Sequence, residues 1–261
     1  MIKVSVLTQE DQFFIPKNIQ KLIDSEYIEV KSIVIINSSG SLNNKKLFFL
    51  KNFIFAGAVR LAIKSMFYRI LDFINLITFN LFSNKVYSIL ALAKKNSIEI
   101  NSIVNPNDKV FLKKLKNLKL DFIISYSAPV VFKSELLAIP KFHCINLHCS
   151  YLPKYSGILP SFWVLYNLES KTGCTVHLMD DKIDNGQIVL QKEVSIKDVN
   201  SIFEVNRITK EEGGKLMLKS IIGLYNKTIM ISKNEVQKKN YNSWPNENQI
   251  KNFIRNGKKI Y

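Results

Sequence analysis

The chain has 261 residues, 47% hydrophobic and 22% charged, which fits one compact domain, or a domain with a small appendage, and excludes disordered, collagenous and linker proteins. Its formal charge of +16 is uneven: +1 over residues 1–50, +9 over 51–150, −1 over 151–200 and +7 over 201–261. Such a surplus suits nucleic acid, an acidic membrane surface or phosphorylated small molecules, and charge alone does not choose among them.

Cys144, Cys149 and Cys174 form neither a C-x-x-C pair nor an even disulfide set. The start MIKVSVLTQED lacks a basic segment followed by an apolar run. Both point to a reducing, cytoplasmic location.

Ile2–Leu7 and Tyr27–Ile36 are β-branched runs flanking an amphipathic stretch, Ile15–Ile23, which predicts a strand–helix–strand crossover. From Leu47 to Phe82 apolar residues recur every three or four positions, punctuated by Arg60, Lys64 and Arg69. This predicts one or two helices with a basic edge, packed on the core or lying on a membrane surface. Charges interrupt the stretch too often for a bilayer span. Val86–Lys95 reads as helix, Ile98–Val104 as strand, Asp108–Leu118 as helix and Asp121–Tyr126 as a buried strand. A short helix ends at Leu136–Ile139, and Cys144–His148 is the next strand. This alternation predicts an α/β fold with a mostly parallel sheet, whose chemistry lies at the strands' carboxyl ends. Gly173–Met179 and Ile188–Val194 follow as strands, with a helix near 201–224, a strand near 228–236 and a polar tail.

Alternation along a strand puts Asn146 and His148 on one face near its end. An amide and an imidazole so placed can bind a developing oxyanion and move a proton. The loop Asp180–Gly186 is dense in carboxylates, one of which could orient His148. On spacing alone the same residues also fit satisfied polar groups at a strand end beside a solvated turn. His177 reads as a structural histidine of its strand, His143 as a surface residue one position outside the strand, and Cys144 and Cys149 as packing residues.

The run INLHCSYLPKYSG followed by GCTVHLMDDKIDNGQIVLQKEV resembles the signature of the folate-dependent formyltransferases: Asn-x-His-x-Ser-x-Leu-Pro, then Gly-x-Thr and a later Asp-x-Gly. The two blocks agree in order and separation over about residues 121–195. The resemblance implies a Rossmann-like formyltransferase fold over residues 1–195, carrying the 47–82 helical insertion, and a short α+β extension at 196–261. It implies a metal-free transfer of a formyl group from 10-formyltetrahydrofolate to an amine, with Asn146, His148 and Asp184 as the catalytic trio.

Asn146 and protonated His148 would then stabilise the tetrahedral oxyanion, and Asp184 would orient His148 and help carry the proton. Burial would raise the Asp184 pKa and pairing with His148 would lower it. By the same resemblance, Tyr126, Ala128, Pro129, Val130, Val131 and Phe132 form one wall of a pteridine pocket. Met179, Asp180, Asp181 and Ile183 form the other. Ser150, Lys154, Tyr155 and Gly157 would face the acceptor, and Trp163 and Tyr166 could stack on a sugar or base.

Methionyl-tRNA formyltransferases carry a further C-terminal barrel, and glycinamide ribonucleotide formyltransferases a Gly- and Ser-rich phosphate loop after the first strand. Here that loop is LTQEDQFFIPKN, without Gly. The expected acceptor is therefore an amino-deoxysugar linked to a nucleotide, in surface polysaccharide synthesis, with no obligatory nucleic acid. A homodimer and peripheral membrane contact through 47–82 are compatible with the sequence. Alternatives are a methionyl-tRNA or other small-amine formyltransferase, or a non-catalytic folate-binding or membrane-surface protein on the same fold.

Overall fold

The computed structural model describes residues 1–37, 57, 59–78, 85–235 and 241–261. Residues 47–56, 58 and 79–82 of the expected helical stretch, and Val236 of the expected last strand, lie outside the described residues.

The crossover forms as expected from β1 (Ile2–Thr8), α1 (Ile15–Ile23) and β2 (Ile28–Ile36). Next come α2 (Val59–Ile77), α3 (Ile89–Lys95), β3 (Glu99–Ile103), α4 (Lys109–Asn117), β4 (Phe122–Tyr126), α5 (Ser134–Leu137) and β5 (His143–His148). Side-chain caps start two of these helices: the Ser88 oxygen accepts from the Ala91 N–H, and Asp108 accepts from those of Val110 and Phe111. The chain continues through β6 (Ser156–Gly157), α6 (Pro160–Tyr166), β7 (Lys171–Leu178), β8 (Ile188–Ser195), α7 (Ile202–Tyr225), β9 (Tyr241–Asn242) and α8 (Glu247–Arg255). No helix among the described residues is long and apolar enough to cross a membrane.

Among the described residues, seven strands form one sheet in the order β3-β2-β1-β4-β5-β7-β8. The first five run parallel, and β7 and β8 are antiparallel additions. The α/β, mostly parallel expectation is met. Strand order reverses between β1 and β4, where ligands of open α/β sheets bind. There the Thr8 hydroxyl donates to the Tyr126 carbonyl at 2.7 Å, locking the two strand ends together.

Ile145 and Leu147 of β5 pack with α1, α3 and α7 on one side of the sheet, whereas Cys144 packs with α4 and α5 on the other. Period-2 alternation then sends Asn146 and His148 to the Cys144 side. A third apolar cluster joins Phe162 and Trp163 of α6 to Ile202 and Val205 of α7 and to Ile250 and Phe253 of α8.

Three expectations change. Residues 228–235 make one bridge, Ile188 to Ser232, and no strand; Met230 is 94% exposed, and beyond the bridge Asn234 turns away to bond loop carbonyls. The polar tail contains α8, started by a capping box in which Asn246 and Gln249 satisfy each other's backbone N–H groups. His143 belongs to β5 and is half-buried, and desolvation lowers its pKa.

The adjacent Gly213 and Gly214 let α7 lie close to the sheet and α1. A Cβ at Gly213 would come within 2.6 Å of the Leu147 side chain, and one at Gly214 would press into the Asn18 amide, which donates to the Lys210 carbonyl. Helix propensity favours Ala over Gly by roughly 1 kcal/mol, whereas overpacking costs roughly 1–3 kcal/mol. Gly214→Ala is therefore expected to destabilise, the opposite of the propensity effect, and urea denaturation measures the sign.

Candidate active site

Asn146 and His148 sit at the carboxyl end of β5, and Asp184 reaches them from the loop between β7 and β8. Asp184 adopts φ 50°, a left-handed conformation that Asp tolerates better than most residues. Its Oδ2 accepts the Gly157 N–H at 2.7 Å and lies 3.4 Å from His148 Nδ1, while Oδ1 lies 3.6 Å from His177 Nε2. The Asp184 side chain is 9% exposed and that of His148 7%, so the charge is largely removed from water. Burial alone would raise the Asp184 pKa. It is outweighed by His148, His177 and the Gly157 N–H, which hold the carboxyl down to about 2. Of the two opposing effects expected from the sequence, pairing wins.

His148 Nε2 lies 2.9 Å from the Tyr155 carbonyl oxygen. That oxygen can only accept, so Nε2 carries a hydrogen. The contact depends on Tyr155 adopting φ 58°, with its hydroxyl donating to Glu169 at 2.8 Å. Ser150 is fully buried and donates to the Lys154 carbonyl at 2.7 Å, so it ties the loop together. Thr175 of β7 braces the same loop, donating to the Ser150 carbonyl and accepting from the Leu152 N–H. Lys154 is exposed.

His177 belongs to this cluster, which the reading of the chain as a strand did not anticipate. Its Nδ1 donates to the Leu178 carbonyl at 2.7 Å, and its Nε2 lies 3.1 Å from Asn146 Nδ2 as well as facing Asp184. The ring thereby orients the Asn146 amide. The available signal was register: His177 pairs directly with Asn146 across β5 and β7. A second unanticipated residue is Asn234, whose Nδ2 donates to the carbonyls of Asp184 and Gly186.

The segments expected to flank a pteridine converge. Ala128, Val130 and Met179 all pack against the cluster that contains Cys144 and Phe132, and the Met179 N–H donates to the Cys144 carbonyl at 2.8 Å. Pro129 and Val131 are exposed, and Asn107 holds their loop by donating to the Val131 carbonyl and accepting from the Lys133 N–H. The 126–132 segment and Met179 thus bring apolar surface together where β4 and β5 end. Tyr126 and Phe132 are buried in the core, so their rings are not available to line a ligand pocket as the sequence suggested. Asp180 accepts from the Lys182 N–H and the Asn185 amide, shaping the loop, while Asp181 and Ile183 are exposed. Trp163 is buried, donates to the Ile158 and Ser243 carbonyls, and with Tyr166 packs around Phe162. Cys144, Cys149 and Cys174 are buried and unpaired by disulfides, as packing residues should be.

The start of α1 is capped from within. Asp11 Oδ1 accepts the N–H groups of Phe13, Phe14 and Ile15 at 2.7–3.1 Å, and Lys210 Nζ lies 3.4 Å from Oδ2. Burial would raise the Asp11 pKa, but Lys210 and the three N–H groups lower it on balance. A carboxylate of the chain itself thus fills the place where a helix N-terminus would otherwise hold a phosphate.

The formyl transferase family matches residues 85–221, just over half of the chain. The chain belongs to the formyl transferase family. Over 131 residues this family member is 39% identical to the methionyl-tRNA formyltransferase of Clostridium novyi (strain NT), a stretch that covers 50% of this chain and 42% of that protein. It therefore spans less than half the length of that relative. Its fold resembles glycinamide ribonucleotide transformylase 1 from Symbiobacterium toebii, with a TM-score of 0.62, 14% identity, and coverage of 89% of this chain and 95% of that one. It is similarly close to an N-formyltransferase from Helicobacter canadensis in complex with folinic acid and dTDP-3-aminofucose, with a TM-score of 0.61, 19% identity, and coverage of 98% and 80%.

Two predictions follow from the geometry. Because the Asp184 pKa is depressed on folding, its contribution to stability is complete above about pH 4 and lost as pH falls toward 2. Chemical denaturation across that range should show wild type losing roughly 2 kcal/mol more than Asp184→Asn. Gly157 has φ +96°, and a Cβ there would fall 2.3 Å from the Asn242 carbonyl. Gly157→Ala should therefore unseat β9 from β6, read as faster proteolysis around residues 241–246.

Proposed function

We propose that this chain transfers the formyl group of 10-formyltetrahydrofolate to an amine, and that the amine belongs to an amino-deoxysugar carried on a nucleoside diphosphate. The observation that carries the transfer is the convergence of Asn146, His148 and Asp184, with His177 behind Asn146. Folate bound there supplies an electrophilic formyl carbon. The walls would be the 126–132 segment, bordering it with Ala128, Pro129, Val130 and Val131, and residues 179–183.

The geometry supports the following roles. As the acceptor's neutral amine adds to the formyl carbon, negative charge grows on the formyl oxygen. Asn146, held by His177, offers an amide N–H to that oxygen, and protonated His148 supplies positive charge beside it. Asp184, ionised before the attack, keeps His148 oriented and helps carry the proton that the attacking nitrogen must shed. That proton passes to the departing folate nitrogen as the carbon–nitrogen bond to the donor breaks, so no net proton is consumed. Residues 1–195 form the proposed catalytic unit, and the 196–261 extension supports it through Asn234 and β9. Lys154 and Tyr155, on the loop after β5, would face the acceptor in this reading.

Two features support a sugar nucleotide. Asp11 closes the start of α1 to an acceptor phosphate, which disfavours glycinamide ribonucleotide. The likeness to the Helicobacter canadensis fold runs through 98% of this chain, including α7 and α8. The 39% identity to a methionyl-tRNA formyltransferase supports a second reading, in which the basic surface meets tRNA.

The deciding experiment follows tetrahydrofolate release against a panel of amino-deoxysugar nucleotides, glycinamide ribonucleotide and initiator methionyl-tRNA. Turnover with a sugar nucleotide is expected. Turnover with tRNA alone, weakening steeply with salt, would transfer the assignment to the second reading. His148→Ala and Asp184→Asn should each abolish turnover while folate binding stays within severalfold. His177→Ala should lower kcat by roughly tenfold, the value of one lost positioning hydrogen bond, with little change in the folate KM.

A further inference from the structure

Helix α2 packs inward through Leu61, against the cluster of Phe162 and Phe253, and through Tyr68, against Phe13 and Tyr87. Polar contacts hold the same face: Ser65 meets Gln12, Lys64 donates to the Tyr261 hydroxyl at 3.2 Å, Asp72 accepts the Tyr87 N–H at 2.8 Å, and Asn75 donates to the Lys85 carbonyl at 2.8 Å. Its outward face carries Val59, Ile63, Met66, Ile70, Phe73 and Ile77, each between 47% and 62% exposed. Alternating spacings of four and three residues keep these six on one stripe along the whole helix. Phe67 and Ile74, also exposed, widen it. An apolar strip of this length on the outside of a folded chain marks a surface of interaction.

The charges beside the stripe indicate what it meets. Asp72 is the one acidic residue of α2, and it faces inward. Arg60 is exposed at the edge of the stripe. Between α2 and α3 lies a cavity of about 330 Å³, lined by Phe73, Leu76 and Leu90 together with Lys85, Lys94 and Lys95. Apolar surface and positive charge are therefore continuous. A second copy of the same helix would match the apolar stripe but would bring Arg60 and Arg69 against like charges, with no carboxylate at the flanking positions to pair with them. An anionic bilayer offers both an apolar interior and negative phosphates.

We propose that α2 and the α2–α3 cavity dock this chain reversibly onto an anionic phospholipid surface. The stripe enters the boundary between headgroups and acyl chains, and Arg60 and Lys94 meet lipid phosphates. The inference stands apart from the identity of the formyl acceptor.

Vesicle flotation of the full chain tests it, with phosphatidylcholine vesicles compared with vesicles that also contain about one-third phosphatidylglycerol, at low and high salt. The expected result is partitioning about tenfold stronger on the anionic vesicles, lost at high salt. The double variant Ile70→Asp with Phe73→Asp should lower it by about tenfold or more, and Lys94→Glu by severalfold, both with unchanged near-ultraviolet circular dichroism and turnover. Equal binding to neutral vesicles, binding indifferent to these variants, or no flotation would overturn the proposal. A chain that does not float but sediments as a dimer, dissociated by the double variant, would assign the stripe to a second copy.

Discussion

The arrangement of the candidate site depends on one buried negative charge. Removing the Asp184 carboxylate from water is costly unless partners replace the lost hydration, and here they come from separate parts of the chain. Gly157 contributes a backbone N–H from β6, His148 an imidazole from the end of β5, and His177 a second imidazole from β7. Each partner constrains another element: β9 must lie against Gly157, Tyr155 must adopt a left-handed conformation to meet His148, and Asn146 must face His177. The carboxylate thus fixes geometry well beyond its own contacts. It remains ionised because those partners outweigh its burial.

Two kinds of scaffold meet at this charge. Asn146 and His148 sit on a strand paired on both sides, parallel to β4 and antiparallel to β7. Asp184 sits on a loop, and loops are positioned only by what braces them. The bracing comes from the antiparallel β7–β8 pair and from Asn234, which bonds the Asp184 and Gly186 carbonyls. A carboxylate and an imidazole split between a rigid strand and a braced loop keep their separation only if both supports hold.

Much of the sheet was legible because its strands obey simple patterning. IKVSVL, DFIISY and CINLH are apolar runs of strand length bounded by polar loops, and each is a strand of the parallel core. The trio was legible because Asn146 and His148 share a face by alternation, and because a motif longer than either block tied them to Asp184. His177 was missed because its role arises from cross-strand register, which a single strand does not encode. Asn234 was missed because a side chain bonding two loop carbonyls leaves no periodic trace. The expectation of a strand at 228–236 followed β-branched composition, but backbone pairing there reduces to one bridge. The helix in the tail had a local signal, Asn-Glu-Asn-Gln, which polar composition obscured. Trp163 and Tyr166 show the converse limit: aromatic residues on a helix near a site serve equally well as core, and the Phe162 and Phe253 rings claim that space.

The parallel contact of β6 with β9 has a consequence for how the molecule comes into being. Gly157 presents its N–H to Asp184 while the Asn242 backbone lies against its other side. A chain emerging from the ribosome can pair β1, β2, β4 and β5 long before residue 242 exists. The sheet is then available early as a folding platform, whereas the loop that carries the acidic residue has its full support only once a distant later segment is delivered. The arrangement around Asp184 is in this sense completed later in synthesis than the sheet, and a nascent chain holding the sheet alone would carry that loop without its full support.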